Sequence, residues 1–247
     1  MSPVVLSVLA IATLGTSFIS GILGMAGGMI LMGVLLALLP LSVAMLLHGI
    51  VQAAANGSRA LLLRSRIAWR VFGGYAAGAL LALALFTLAH AVVDKPLALI
   101  TLGLTPFVAL ALPVRLHLSV DRRWHSFACG AVCQGLSLTA GVSGPLLDVF
   151  FVRSTMTRHE VVATKAITQS LSHVLKIAYF GAMVALGGGG VPVWVAVAMV
   201  VLAFAGTSLS RQVLECISDA AFRVWSRWTV LALGSMYLTS GLSAWLR

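Results

Sequence analysis

Lys165, Gln169, His173 and Lys176 lie at i, i+4, i+8 and i+11 in TKAITQSLSHVLK, a stretch that is otherwise largely apolar. On an α-helix this spacing gathers them on one narrow face. Amide, imidazole and ammonium groups on a single stripe are hydrogen-bond donors to an oxyanion, and they can hold it without trapping it. His48, Gln52, Asn56 and Arg59 repeat the ladder 117 positions earlier (165 minus 48). Two glycine clusters share that offset, with Gly24 and Gly27 of GMAGG matching Gly141 and Gly144 of GVSGP. Glycines and polar ladders in common register mark an internal repeat.

The elements that must carry these stripes follow from composition. Of 247 residues, 60% are hydrophobic and only 9% charged, too much apolar surface for a water-soluble fold of this size. The apolar runs are continuous rather than alternating, so helices and not a β-barrel satisfy the backbone in lipid. The N-terminal stretch MSPVVLSVLAIATLG lacks a basic leader and reads as a membrane segment. Cys129 and Cys133 stand one helical turn apart and, with Cys216, are too few for a disulfide framework. They read as small core residues.

The expected fold is an all-α polytopic membrane protein, one transporter domain over residues 1–247, with internal repeats at about 3–113 and 120–246. Each repeat holds five helical elements. In the first copy they run from Pro3 to Ser20, Met29 to Leu39, Val43 to Leu63, Trp69 to Val92 and Pro96 to Leu112. In the second they run from Trp124 to Ala140, Pro145 to Val152, Val161 to Leu186, Pro192 to Leu209 and Phe222 to Leu246. Glycine turns at Gly21–Gly28 and Gly141–Gly144 break the first two elements of each copy into a re-entrant-type hairpin. The returning arms are too short to cross roughly 30 Å of hydrocarbon at about 1.5 Å per residue.

Five elements per copy put the second copy upside down relative to the first, and the charges agree. With the N-terminus outside, the inward loops carry Arg64, Arg66, Arg70, Arg115, Arg122, Arg123, Arg153, Arg158, Arg211, Arg223 and Arg227, while the outward side keeps Lys95 and Arg247. This is the positive-inside bias of a cell (inner) membrane protein with both termini outside. It accounts for the net charge of +10 through anionic lipid, without nucleic acid.

Inverted repeats with broken helices place half-helix N-termini, with free N–H groups and a positive dipole end, near the membrane midplane. The candidate anion site therefore combines Gly24, Gly27, Gly28, Ser143 and Gly144 at the two breaks with Gln52, Asn56, Arg59, Gln169, His173 and Lys176 from the two ladders. The same polar groups also suit helix–helix glue. Arg59 and Lys165 sit where they can snorkel to the interface, whereas Lys176 is deeper. Asp148 and Glu160 are candidate partners for these cations, or proton carriers.

GMAGG and GVSGPLLDVFF, each followed by a polar-faced helix (VQAAANGSR and TKAITQSLSHVLK), resemble the sulfite exporter TauE/SafE family over nearly the whole chain. The resemblance implies inverted repeats that move small sulfur-containing or organic anions such as sulfite or sulfoacetate. Ala26, Ser143 and Asp148 depart from the family's common pattern. The partners it implies are a small anionic substrate and the lipid bilayer, with no cofactor, no metal and no nucleic acid. A homo-oligomer and a coupling proton are compatible with it. GVSG is also the GxSG of intramembrane serine proteases, with Ser143 as nucleophile and His173 as base. The first copy has the glycines without the serine, which favours an architectural turn. An anion channel is the other alternative.

Overall fold

The computed structural model describes residues 2–23, 25–91, 93–112, 118–187, 190–215 and 219–246. Among them the secondary structure is helical throughout, with no strand. The helices are α1 (Pro3–Leu23), α2 (Met25–Leu38), α3 (Leu41–Leu62), α4 (Trp69–Leu88), α5 (Lys95–Ala111), α6 (Arg123–Thr139), α7 (Gly144–Phe151), α8 (Arg158–Leu186), α9 (Val193–Glu215) and α10 (Asp219–Trp245).

Local chemistry sets several of these boundaries. Pro40, which has no N–H to donate, caps the start of α3. Asp94 accepts from the Leu97 N–H at 2.8 Å to cap α5. Thr157 and Glu160 form a reciprocal capping box at the head of α8. This occupies the Glu160 carboxylate outside the apolar segments, and the Thr157 hydroxyl and N–H hold its pKa below the usual carboxylate value. The cap's contribution is present at neutral pH and is lost as pH falls through that lowered value.

Ten helical elements were expected and the described residues form ten α-helices, but the first break differs. α1 continues to Leu23 and α2 resumes at Met25, so Gly27 and Gly28 lie in the first turn of α2 and not in a loop. Gly24 lies outside the described residues, as do Gly188 and Gly189 of the later glycine run. Glycine in a helix costs only about 1 kcal/mol relative to alanine, and here packing requires it. A Cβ on Gly27 would run into the Thr16 carbonyl oxygen and Ser20 backbone nitrogen of α1. Left-handed backbone occurs instead at Gly141, with φ +79°, just before α7. α9 also runs on to Glu215, past the expected end at Leu209.

α1, α4 and α9 are long and apolar enough to cross a membrane. α2 and α7, of 14 and 8 residues, rise only about 21 and 12 Å, less than the roughly 30 Å of a bilayer's hydrocarbon core. α3 and α8 carry the polar ladders and pack against one another, α4 packs on α6, α1 on α9 and α5 on α10. Exchanging the first five helices for the last five turns α4–α6 into α9–α1 and leaves α3–α8 and α5–α10 unchanged. The two self-exchanging pairs are both antiparallel. Gly49 faces Ile177 while Gly57 faces Ser170, and Gly103 faces Gly234 while Gly241 faces Ile100. Small residues at these seams allow close backbone approach, the packing mode available where lipid leaves no hydrophobic drive between helices.

Gly27→Ala tests the close α1–α2 contact. Overpacking against backbone costs about 1–3 kcal/mol, so the purified variant should unfold at lower temperature in detergent than the wild type. Gly15→Ala, where a Cβ meets nothing within 4 Å, is the control and should not.

Candidate functional site

The centre of the α3–α8 seam is a buried lysine. Lys176 is fully buried and its Nζ lies 2.8 Å from His48 Nδ1 and 2.9 Å from the Gly141 carbonyl oxygen. His48 Nε2 is in turn 3.0 Å from the Gly28 carbonyl oxygen. An ammonium has only donors, so Lys176 donates to Nδ1, and the Nε2–H tautomer of His48 donates onward to Gly28. Lys176 thereby reaches both helix breaks, Gly141 directly and Gly28 through His48.

In front of this relay lies a cavity of about 190 Å³. The turn before α7 and its first residue contribute Val142, Ser143 and Gly144, and the start of α2 contributes Met25 and Gly28. α3 contributes His48, Gln52, Asn56 and Arg59, α8 contributes Lys165, Gln169 and His173, and α1 adds Ser20. Among the described residues no carboxylate lines it, whereas a guanidinium, an ammonium and two imidazoles do. At roughly 30 Å³ per water, the space suits a small oxyanion with part of its hydration shell. His173 is 7% exposed and its Nδ1 has no hydrogen-bond partner, although a buried polar nitrogen normally finds one. Its ring stands edge-on to His48 with centroids 5.7 Å apart. The cavity thus offers an unspent polar atom beside positive charge.

The sulfite exporter TauE/SafE family model matches residues 9–237, nearly the whole chain. The chain belongs to this family. No curated protein and no solved structure matches it. Family and apolar helices together make it a membrane protein of a transporter family.

In this TauE/SafE chain, eight of the expected site residues line one cavity: Gly28, Gln52, Asn56, Arg59, Ser143, Gly144, Gln169 and His173. They come from α2, α3, α7 with its preceding turn, and α8. Gly27 is turned to α1, and Gly24 lies outside the described residues. Lys176 stands behind the wall, bonded to His48 and Gly141, and does not line the cavity. Asn56 donates one amide N–H to the Gln52 carbonyl oxygen at 3.0 Å. No hydrogen bond joins Ser143 to His173 among the described residues, so the pair a serine protease needs is not formed.

His48 and Lys165 line the cavity although they were not placed in the site from sequence. Their signal was the ladder itself, in which each is the other's counterpart. Met25 was also missed. A Cβ on Gly144 would run into its thioether, and nothing in its spacing announces that contact.

Lys176→Met keeps a long side chain but leaves His48 Nδ1 and the Gly141 carbonyl oxygen without their donor. Each orphaned buried group costs about 1–3 kcal/mol. The variant should therefore melt well below the wild type in detergent, whereas Gln169→Ala, which removes a half-buried amide, should melt close to it.

Proposed function

We propose that this chain is a secondary carrier of small oxyanions across the cell inner membrane, with sulfite, sulfoacetate or a related organosulfur anion as substrate. The observation that carries the reading is the cavity itself. Both half-helix starts and both polar ladders converge on a space lined by cations, imidazoles and amides and free of carboxylate. The α7 end presents Gly144, and Pro145 after it has no N–H, so the free donors of that half-helix are few and the ladder side chains supply the rest. The reciprocal helix pairing and the antiparallel seams support inverted repeats, in which α2 and α7 enter from opposite faces as short re-entrant arms. The excess of arginine in alternate loops supports a topology with both termini outside.

Export of an anion from a negative-inside cell is favoured by about 2.3 kcal/mol per charge per 100 mV. An anion that crosses without a compensating proton can be driven out by that gradient alone.

The direct test is uptake by proteoliposomes over sulfite, sulfate, thiosulfate, sulfoacetate and small carboxylates. Saturable uptake of at least one sulfur oxyanion is expected, and its absence across the whole series overturns the reading. Arg59 is exposed, so Arg59→Gln should leave the melting temperature nearly unchanged. Loss of one charge-assisted hydrogen bond, about 1.5–3 kcal/mol, should weaken anion binding roughly tenfold to a hundredfold. Unchanged binding would remove Arg59 from the site. Cysteine labelling of both termini should occur with an impermeant reagent added outside intact cells.

A further inference from the structure

Lys165 lines the cavity from α8, and its ammonium is ion-paired with Asp148 of α7. Asp148 lies on the other side of the cavity wall, in a groove of about 570 Å³ between α5, α7 and α10. Met25 lines both spaces, and the ion pair joins a residue of one to a residue of the other. The two side chains remain 24% and 40% exposed. Each partner therefore keeps surface the other does not cover, Lys165 toward the cavity and Asp148 toward the groove.

We infer that Asp148 is a proton-binding site that competes with the substrate anion for Lys165, so that each bound oxyanion brings one proton with it. This inference rests on the anion-carrier reading above. While Asp148 is ionised, it cancels the Lys165 charge, and among the described residues of the lining an entering oxyanion meets Arg59 as the remaining permanent cation. When Asp148 takes a proton from the groove, its carboxyl no longer competes and Lys165 can donate to the oxyanion. The bond lost is Lys165 to carboxylate, the bond gained is Lys165 to oxyanion, and the proton stays on Asp148. A monoanion and its proton then move without net charge.

The groups facing Asp148 allow this assignment. α8 supplies Lys165 and α10 supplies Arg227, which lines the same groove. α5 supplies Pro106, Ala109 and Leu110, none of which titrates. The Cys129 and Cys133 thiols of α6 pack in the apolar cluster with Leu147 and Phe151 of α7. Arg153 follows on the same segment. Lys165 is the ion-pair partner of Asp148 among the described residues. The cavity holds two further titratable groups, His48 and His173, and protons on either would also favour an anion. The test must therefore separate carboxylate from imidazole.

Methanesulfonate is a suitable probe because a sulfonate stays ionised across the working range, whereas sulfite itself titrates. Binding to purified protein is measured by calorimetry from pH 5.5 to 8, and proton entry is followed with a trapped pH dye in proteoliposomes. If anion binding holds a proton on Asp148, affinity is high at acid pH and falls by up to tenfold per pH unit toward alkaline pH. Asp148→Asn should bind at pH 8 as tightly as the wild type does at acid pH, with the slope gone, while Asp148→Glu should retain it. Wild-type vesicles should acidify as methanesulfonate enters.

A slope that survives in Asp148→Asn but vanishes in His173→Gln places the proton on the imidazole and overturns the inference. Binding that is flat with pH in the wild type, or sulfonate entry without acidification, overturns it while leaving the carrier reading intact. The vesicle measurement decides this even if Asp148→Asn does not fold. If the wild type neither binds nor transports any anion of the series, the carrier reading fails and this inference falls with it.

Discussion

A lysine ammonium at full burial is expensive unless its donors find acceptors, and Lys176 finds them in His48 and in the backbone of the second helix break. This constraint joins four elements at one point. α8 carries the amine, α3 the imidazole, α2 the Gly28 carbonyl and the turn before α7 the Gly141 carbonyl. Because the acceptors are backbone groups at the breaks, the position of each half-helix start is tied to the register of the α3–α8 seam. A one-residue slip along that seam would withdraw the donor from both.

The same arrangement separates support from binding. Lys176 and the first-break carbonyl are spent on each other through His48, whereas His173 keeps an unpartnered Nδ1, and Gln52 and Gln169 are half-buried beside the cavity. Arg59 and Lys165 bring cationic groups to the lining, and the Lys176 amine stands one side chain behind. Asp148 is the nearby exception, and it sits outside the cavity with its charge directed at Lys165.

Close helix approach makes these distances attainable. Gly27 lets α2 lie against α1, Gly78 and Gly130 bring the α4 and α6 backbones together, and Gly103 and Gly234 do so for α5 and α10. Tyr75 of α4 and Ser172 of α8 then bond at 2.7 Å in the interior, and Tyr237 of α10 donates to the Met29 carbonyl oxygen. These cross-helix bonds involve groups that hydrocarbon would leave unsatisfied, so they fix rotation of the helices as well as proximity.

The sequence by itself determined the ten helical elements, since continuous apolar runs interrupted by Pro, Gly and arginine loops permit little else in a membrane. It also determined that two ladders share one register, because spacing on a helix is fixed by the backbone. It could not decide which members of each ladder face the cavity. All four members of a ladder share one helix face, but they are spread over about 16 Å of its length, and a second helix and two breaks divide them by depth between cavity and support. Lys176 therefore lies behind the wall and His48 within it, although both belong to the stripes. Gly27 and Gly141 were legible as glycines, but helix and left-handed turn could not be told apart until the α1 backbone and the thioethers of Met32 and Met45 were set against them. The pairing of Asp148 with Lys165 was one of several open to the sequence. Only the tertiary placement of α7 against α8 selected it, because an ion pair depends on where two helix faces meet and not on the spacing along either one.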